Sequence, residues 1–571
     1  MLWWLVLLGM IACVVVPGPA LTPTPQAATA SRTQAPDVSP TPSSTPTLTP
    51  TPAPTTTPTP LPGPGLDVAK IHVFPQPLAA GDYVSLDVDP RLPDDPGILE
   101  NAPLTLTVQW PDGSESLAPF EILGLDEQYQ AHVYWGWEAP DLAGTLPLTF
   151  TLTVPDSVPD PNPADNVVSL ALPLVAPESL APPEPETHWA MTDVKGIHLH
   201  YLTGSAAERD LAELVVMAQT AYAGVTQYLD TEGDTLDVYL ADRVIGQGGY
   251  ASSNWVLVTY TDRMYAPVSL DMVLRHEFTH RLDRAIGCET APAMLREGLA
   301  VYLAGGHYRA EPVRRKAATI VEVAQYVTLD DLTGNFYQLQ HEVSYAEAGS
   351  LVMYLLEKYG WESLETVCRA AAQTEGDDRT RLAAGVQALG AGKLGDLETD
   401  WLAWLAKEEV TPTDVALLEV DLRLMEAMRA YQERYNLSAH FLEGILFDPQ
   451  EAERMGIVAD FVRRPREPEP IAIELLLALA QDAIRREAAL QAASTLDAIV
   501  QVLADGNFAR GLPADTLAIT RAALAQNYEP YQLLPKGQGY ELYTLDRNAW
   551  PERHRFEATR EEGSWKITEG P

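Results

Sequence analysis

Residues 276–280 read HEFTH, two histidines four positions apart with a glutamate directly after the first. Around them Val273, Leu274, Phe278 and Leu282 recur with helical spacing. On a helix, positions i and i+4 share a face, so the two imidazoles project together and can bind one zinc ion. The Glu277 carboxylate, one position on, can reach a water activated at that ion without displacing either ligand. That is the arrangement for metal-assisted hydrolysis with a carboxylate as general base.

A structural zinc site closes its shell with a fourth protein ligand, usually Cys, whereas a catalytic one keeps three ligands and an open position. The chain has only three cysteines, Cys13, Cys288 and Cys368, so a metal must be held by His and carboxylate. Glu297 stands 17 residues after His280 in the stretch MLREGLAVYL (294–303), which reads as the next helix. A short connection makes consecutive helices neighbours, so Glu297 can meet the two histidines. Asp283, on the same helix face as His280, and Glu289, in the connection, are rival third ligands. Asp283 fits better as the salt-bridge acceptor of Arg281, Arg284 or Arg275, or as a support for a ligand. One Zn2+ per chain is expected, on His276 and His280, with Glu297 the leading candidate for the third place and Asp283 and Glu289 left open beside it.

These residues need a scaffold. Ahead of the motif the sequence reads strand (Ile197–Tyr201), helix from a Ser205 cap to about Leu229, strand (Thr235–Ala241), a glycine turn at Gly246–Gly249 and strand (Trp255–Tyr260). The last of these can pair with an extended peptide by edge addition or lie inside the sheet. Long helices follow to about Ala406, which makes this part α+β.

HEFTH followed by REGLAVYL resembles the gluzincin metallopeptidases, the group of thermolysin and the zinc aminopeptidases, and especially their short peptidase MA-like branch. The similarity extends to SAAER (205–209) after a strand and to SYAEAGS (344–350) opening a helix, and covers about residues 187–407. The resemblance implies a thermolysin-like zincin fold, His276, His280 and Glu297 as zinc ligands, Glu277 as general base, and a Tyr or His that stabilises the oxyanion. Tyr345 is the residue whose segment matches that role; His341 and His307 are weaker candidates. The Gly-rich motif of the aminopeptidases is not visible before the zinc helix, which leaves endo- versus exo-cleavage open.

The 571 residues carry 38 Lys+Arg against 79 Asp+Glu, a net charge of −41, so no basic field exists to attract nucleic acid. Hydrophobic residues at 46% and charged residues at 20% fit folded domains rather than wholesale disorder. Residues 2–16 are uncharged and apolar, too short for a comfortable membrane span, and residues 1–20 read as a signal peptide or, through a loose lipobox ending at Cys13, a lipoprotein leader. Residues 21–65 form a Thr/Pro-rich stalk. Residues 66–176 alternate as an antiparallel sandwich does and resemble CARDB-type surface domains. Between Asp67 and Leu180 they carry 18 acidic residues against Lys70 and Arg91, a solvated acidic face. The metallopeptidase-like part spans 187–407, and 411–571 reads as helical to about 525, ending in strand-like pieces at Tyr540–Leu545 and His554–Ile567. Whether Cys288 and Cys368 pair depends on geometry that sequence does not carry, and two separate buried thiols is the reading favoured by the general burial of free Cys.

The fold class expected is a multidomain chain: an all-β sandwich, an α+β thermolysin-like zincin domain and a mainly helical C-terminal region. The function expected is an exported zinc peptidase acting on peptide or protein substrates. It would be secreted or held at the cell surface, touching a membrane only through its leader or lipid. The alternative is a non-catalytic surface binding or adhesion protein built on an inactive zincin scaffold.

Overall fold

The computed structural model describes residues 63–570, apart from 94, 101, 111, 112, 120, 126, 127, 232, 234 and 441–447. The leader, Cys13 and nearly all of the Thr/Pro-rich stalk lie outside the described residues. Among the described residues, no helix is long and apolar enough to cross a membrane.

The N-terminal region is β-rich. One sheet runs in the order Ile71–Phe74, Tyr83–Val88, Gln128–Glu138, Glu121–Leu125; the other runs Leu78–Ala79, Val167–Val175, Gly144–Thr153, Thr105–Gln109, Glu115–Pro119. Period-two patterning sets their faces: Leu146, Leu148, Phe150 and Leu152 are buried while the threonines between them face outward. They share one core with Val84, Leu86, Leu106 and Val108.

The middle region mixes helices with a five-stranded sheet. Its strands are β1 (Trp189–Val194), β2 (Ile197–Leu202), β3 (Leu236–Ala241), β4 (Gly249–Ala251) and β5 (Trp255–Thr259), in the order β1-β2-β3-β5-β4. β2, β3 and β5 are parallel, and β1 and β4 pair antiparallel at the two edges. Of the two positions left open for the strand at Trp255–Tyr260, the sheet gives it the interior one, flanked by the three-residue β4, whose brevity and glycine hide it from strand patterning. Both faces of the three parallel strands are largely covered, with His198 and Asp237 left part-exposed on one of them. Ile197, Leu199, Val238, Leu240, Val256 and Val258 face the main helical core, while Leu202, Tyr239, Trp255 and Leu257 meet Phe461 and Val462 from the C-terminal region. Double burial explains why these strands read as continuous apolar runs. The helix expected from Ser205 to Leu229 is broken: Ser205 caps a four-residue helix, Ala206–Arg209, and α1 (Leu211–Tyr228) starts after Asp210. Asp210 pairs with Arg209, whose guanidinium also holds Asp262 at 2.8 Å.

Four further helices build the site: α2 (Leu270–Leu282), α3 (Ala293–Ala304), α4 (His341–Tyr359) and α5 (Trp361–Ala372). α2 ends in a 3-10 turn closed by Gly287 at φ 74°, and α3 ends at Gly305 at φ 85°, left-handed caps that glycine adopts without a Cβ penalty. Directly after Gly287, Cys288 is disulfide-bonded to Cys368 on α5. The two cysteines are thus buried together rather than as separate thiols. They are 80 residues apart in sequence and are brought together only by helix packing.

Glu347 on α4 is wholly buried; one carboxylate oxygen accepts the Val327 N–H at 3.2 Å and the other has no partner among the described residues. Burial pushes its carboxyl up to about 8 from an ordinary 4.5. Below about pH 4.5 the group is protonated in both folded and unfolded chains. As pH rises towards 8 only the unfolded chain releases the proton, so stability falls, by about 1.4 kcal/mol per pH unit across the window. Glu347→Gln should melt with wild type near pH 4.5 and increasingly above it towards pH 8. A constant offset in melting temperature across that range would contradict the assignment.

The C-terminal region is mostly helical, with α6 (Pro412–Tyr435), α7 (Pro449–Met455), α8 (Pro468–Arg485), α9 (Ala489–Asp505) and α10 (Gly511–Leu524). It closes with an antiparallel meander of Tyr528–Lys536, Gly539–Asp546, Arg553–Glu561 and Ser564–Glu569. This corrects the tail read as two strand-like pieces. Residues His554–Ile567 contain two strands joined at Glu562 (φ 49°) and Gly563 (φ 84°), the positive-φ pair a tight hairpin favours. The unread first strand contains Pro530 and Pro535, tolerated because it lies at the sheet edge and bulges after Pro530. Buried ions bind this region to the rest. Arg463 reaches Asp82 of the β-rich N-terminal region at 2.6 Å and also Glu184, and Arg263 reaches Glu474 at 2.5 Å and Glu529 at 3.0 Å.

Candidate active site

α2 carries the HEFTH segment with Phe278 and Leu282 turned into the core and His276 and His280 turned towards α3. Glu297 on α3 meets them: its Oε2 lies 3.2 Å from His276 Nε2 and 3.2 Å from His280 Nε2. All three donor atoms lie within 4.8 Å of one another. A tetrahedral ion with bonds near 2.0–2.1 Å needs about 3.3–3.4 Å between ligand atoms, so two imidazoles and a carboxylate fit a zinc-class ion. His276 and Glu297 are buried, and His280, its side chain 14% exposed, forms the solvent edge. Burial alone would raise the Glu297 carboxyl, but the charge of His280 and hydrogen bonds from both histidines hold it well below the usual range.

The rivals fall away on position. Asp283 accepts from Arg296 at 2.8 Å, a partner beyond the three arginines weighed from sequence, and Glu289 is exposed. The pair of buried Asp283 with part-exposed Arg296 joins the end of α2 to the residue preceding Glu297, fixing how α2 and α3 meet. Tyr337 adds a hydroxyl that donates to Glu297 Oε1 at 2.8 Å.

Close helix approach sets the other side. α3 packs on α4 through glycines: a Cβ on Gly298 would lie 2.5 Å from the Ala348 carbonyl oxygen, and one on Gly349 would lie 2.4 Å from Val301 Cγ1. Gly298 follows Glu297 directly, so Gly298→Ala must push α3 off α4 and carry the carboxylate away from the histidines. We expect a loss of about 1–3 kcal/mol in urea unfolding, together with weakened zinc retention. Wild-type stability and zinc content in this variant would count against the close contact.

Glu277 is wholly buried, and burial pushes its carboxyl up to about 7 against the opposing influence of His276 and Tyr308. The Tyr308 hydroxyl lies 2.6 Å from Glu277 Oε1 and 2.9 Å from the Gly249 carbonyl on β4. It can donate to the ionised carboxylate, or accept from the protonated acid while donating to Gly249, so either protonation state is satisfied.

Tyr345 opens α4 and is buried, its ring 6.1 Å from that of His276, 4.0 Å from His307 and 4.1 Å from His341. The three site-side candidates therefore form one cluster, and burial pulls both His307 and His341 well below the usual imidazole range. The neutral imidazoles can offer one N–H each, and the tyrosine one O–H.

No protein-family model and no curated protein sequence matches the chain. The site rests on its geometry.

Two residues in it were not anticipated from sequence, Tyr308 and Tyr337. Tyr308 does carry a structural mark: it sits at φ 60°, a left-handed conformation rare for an aromatic residue, just after Gly305–Gly306. In sequence the only hint was a tyrosine beside the double glycine that ends the ligand helix. A second His/His/Asp group, His198, His200 and Asp237, can also hold a metal ion and was likewise not singled out.

Proposed function

We propose that this chain is an exported zinc peptidase of the gluzincin type, hydrolysing peptide bonds in peptide or protein substrates. The observation that carries the proposal is the convergence of two imidazole nitrogens on one Glu297 oxygen, each at 3.2 Å, with the Glu277 carboxyl buried alongside. His276, His280 and Glu297 would hold the ion, and when bound it supplies a Lewis acid that polarises a carbonyl and acidifies water.

The protein's own groups do the rest. Glu277 takes the proton of the attacking water and delivers it to the leaving amine, while Tyr308 orients it. Tyr345 donates to the developing oxyanion, in a water-poor pocket where such a bond is worth most. Among the described residues β4 pairs with β5, and its Gly249 is joined to Glu277 through Tyr308. The Cys288–Cys368 disulfide supports an oxidising, extracytoplasmic location.

The test is metal analysis with cleavage of a peptide library by native, chelator-stripped and zinc-restored protein. We expect cleavage to vanish on stripping and return with zinc, and Glu297→Ala to lose both bound zinc at this centre and activity. A protein that holds zinc here yet cleaves no peptide would instead be a non-catalytic surface binder.

A further inference from the structure

We propose that the chain carries a second metal site, a centre of two histidines and one carboxylate for a divalent zinc-class ion, formed by His198, His200 and Asp237 on the sheet face opposite α2. The strands create it. His198 and His200 are two apart on β2 and so project from the same face. Asp237 is the parallel-register partner of His198 on the neighbouring β3.

The donor atoms converge as they do at the first centre. Asp237 Oδ1 lies 2.9 Å from His198 Nδ1 and 3.3 Å from His200 Nε2, and all three lie within 4.8 Å of one another. The 3.3 Å spacing is the one a zinc-class ion between two ligands requires, about 3.3 Å, and the 2.9 Å spacing has to open slightly to admit it. In both clusters two imidazole nitrogens crowd a single carboxylate oxygen. One ion between them would separate that crowding into three bonds.

The surrounding contacts are those of ligating histidines, which characteristically give their second ring nitrogen to a carboxylate that fixes the ring and its tautomer. The Nδ1 of His200 lies 2.9 Å from Glu453 Oε2, and the Nε2 of His198 lies 3.4 Å from Asp193 Oδ1. Glu453 is itself held by the Tyr239 hydroxyl at 3.1 Å, and the His200 ring stacks on Tyr239 at 4.2 Å. Gln450 donates to the remaining oxygen of Asp237 at 3.0 Å. The site is also reachable. The His198 side chain is 42% exposed and that of Asp237 28%, while His200 is 10% exposed.

Glu453 and Gln450 come from α7, more than 200 residues after Asp237 in sequence. An ion here would tie the C-terminal region to the catalytic sheet, giving the chain two zinc ions rather than the one expected from sequence. Its residues are separate from the first centre, so the proposal does not depend on peptidase activity.

The experiment strips the full chain with chelator, reloads it with Zn2+ alone, removes excess by dialysis and measures bound zinc and melting temperature. Two equivalents are expected in wild type, one in His198→Ala, one in His276→Ala and none in the double variant. Glu453→Gln should keep the fold and weaken the second equivalent about 10- to 100-fold. In His276→Ala, added zinc should still raise the melting temperature, and in the double variant it should not. The exposure of His198 makes its alanine variant a mild one; an unchanged zinc-free melt verifies that it folds. A single equivalent that survives His198→Ala and disappears with His276→Ala would overturn the second site and leave the first, showing a plain histidine–carboxylate network. The converse would keep the second and overturn the first. No retained zinc in wild type would overturn both.

Discussion

Glu277→Gln should lower the kcat of peptide cleavage by about 10²- to 10⁴-fold or more while zinc content stays at the wild-type value. That range is what a positioned general acid–base contributes. The substitution is nearly isosteric, and the amide oxygen can still accept from Tyr308, now 2.6 Å from Glu277 Oε1. Neither His276 nor His280 bonds to Glu277, so the metal cradle is untouched. What the amide lacks is a site to take and return a proton near neutral pH. Metal analysis separates this from loss of the ion, and circular dichroism separates it from misfolding. Cleavage within tenfold of wild type, with zinc retained, would remove Glu277 from the base role.

Replacing Cys288 and Cys368 together by serine should cost about 2–5 kcal/mol of unfolding free energy, near the value for cross-linking a loop of this length. The bridge closes 80 residues of sequence that contain α3, Glu297, Tyr308 and all of α4. It also anchors the connection between α2 and α3 to α5. Guanidinium unfolding of the double variant, and of wild type under reductant, should show the same lowered midpoint. An unchanged midpoint in both would mean that the buried contacts around α5 hold this connection unaided.

The histidine pair was legible because helical periodicity is local: Val273, Leu274, Phe278 and Leu282 fix which face turns inward, and i, i+4 spacing does the rest. The β-rich N-terminal region was legible for a similar reason, since Leu146, Leu148 and Phe150 alternate along a single strand. The three-residue β4 was not, because it is too short to show alternation and its place is set by α2 packing against it: a Cβ on Gly249 would lie 2.6 Å from Val273 Cγ1. The proline-bearing first strand of the tail was hidden because only its edge position makes those prolines acceptable.

By itself, then, the sequence determined two imidazoles and a glutamate on one helix turn, an acidic multidomain chain and a shortlist of acids for the third position. Tertiary structure decided among them: Arg296 claims Asp283, and the glycine-mediated contact of α3 with α4 delivers Glu297. It also decided the Cys288–Cys368 bond, the Tyr308 contact with Glu277 and the meeting of His198 and His200 with Asp237. Spacing within one helix follows from backbone hydrogen bonding that every residue shares. Distances between elements follow from strand register and side-chain packing, which become defined only when distant segments fill the same space.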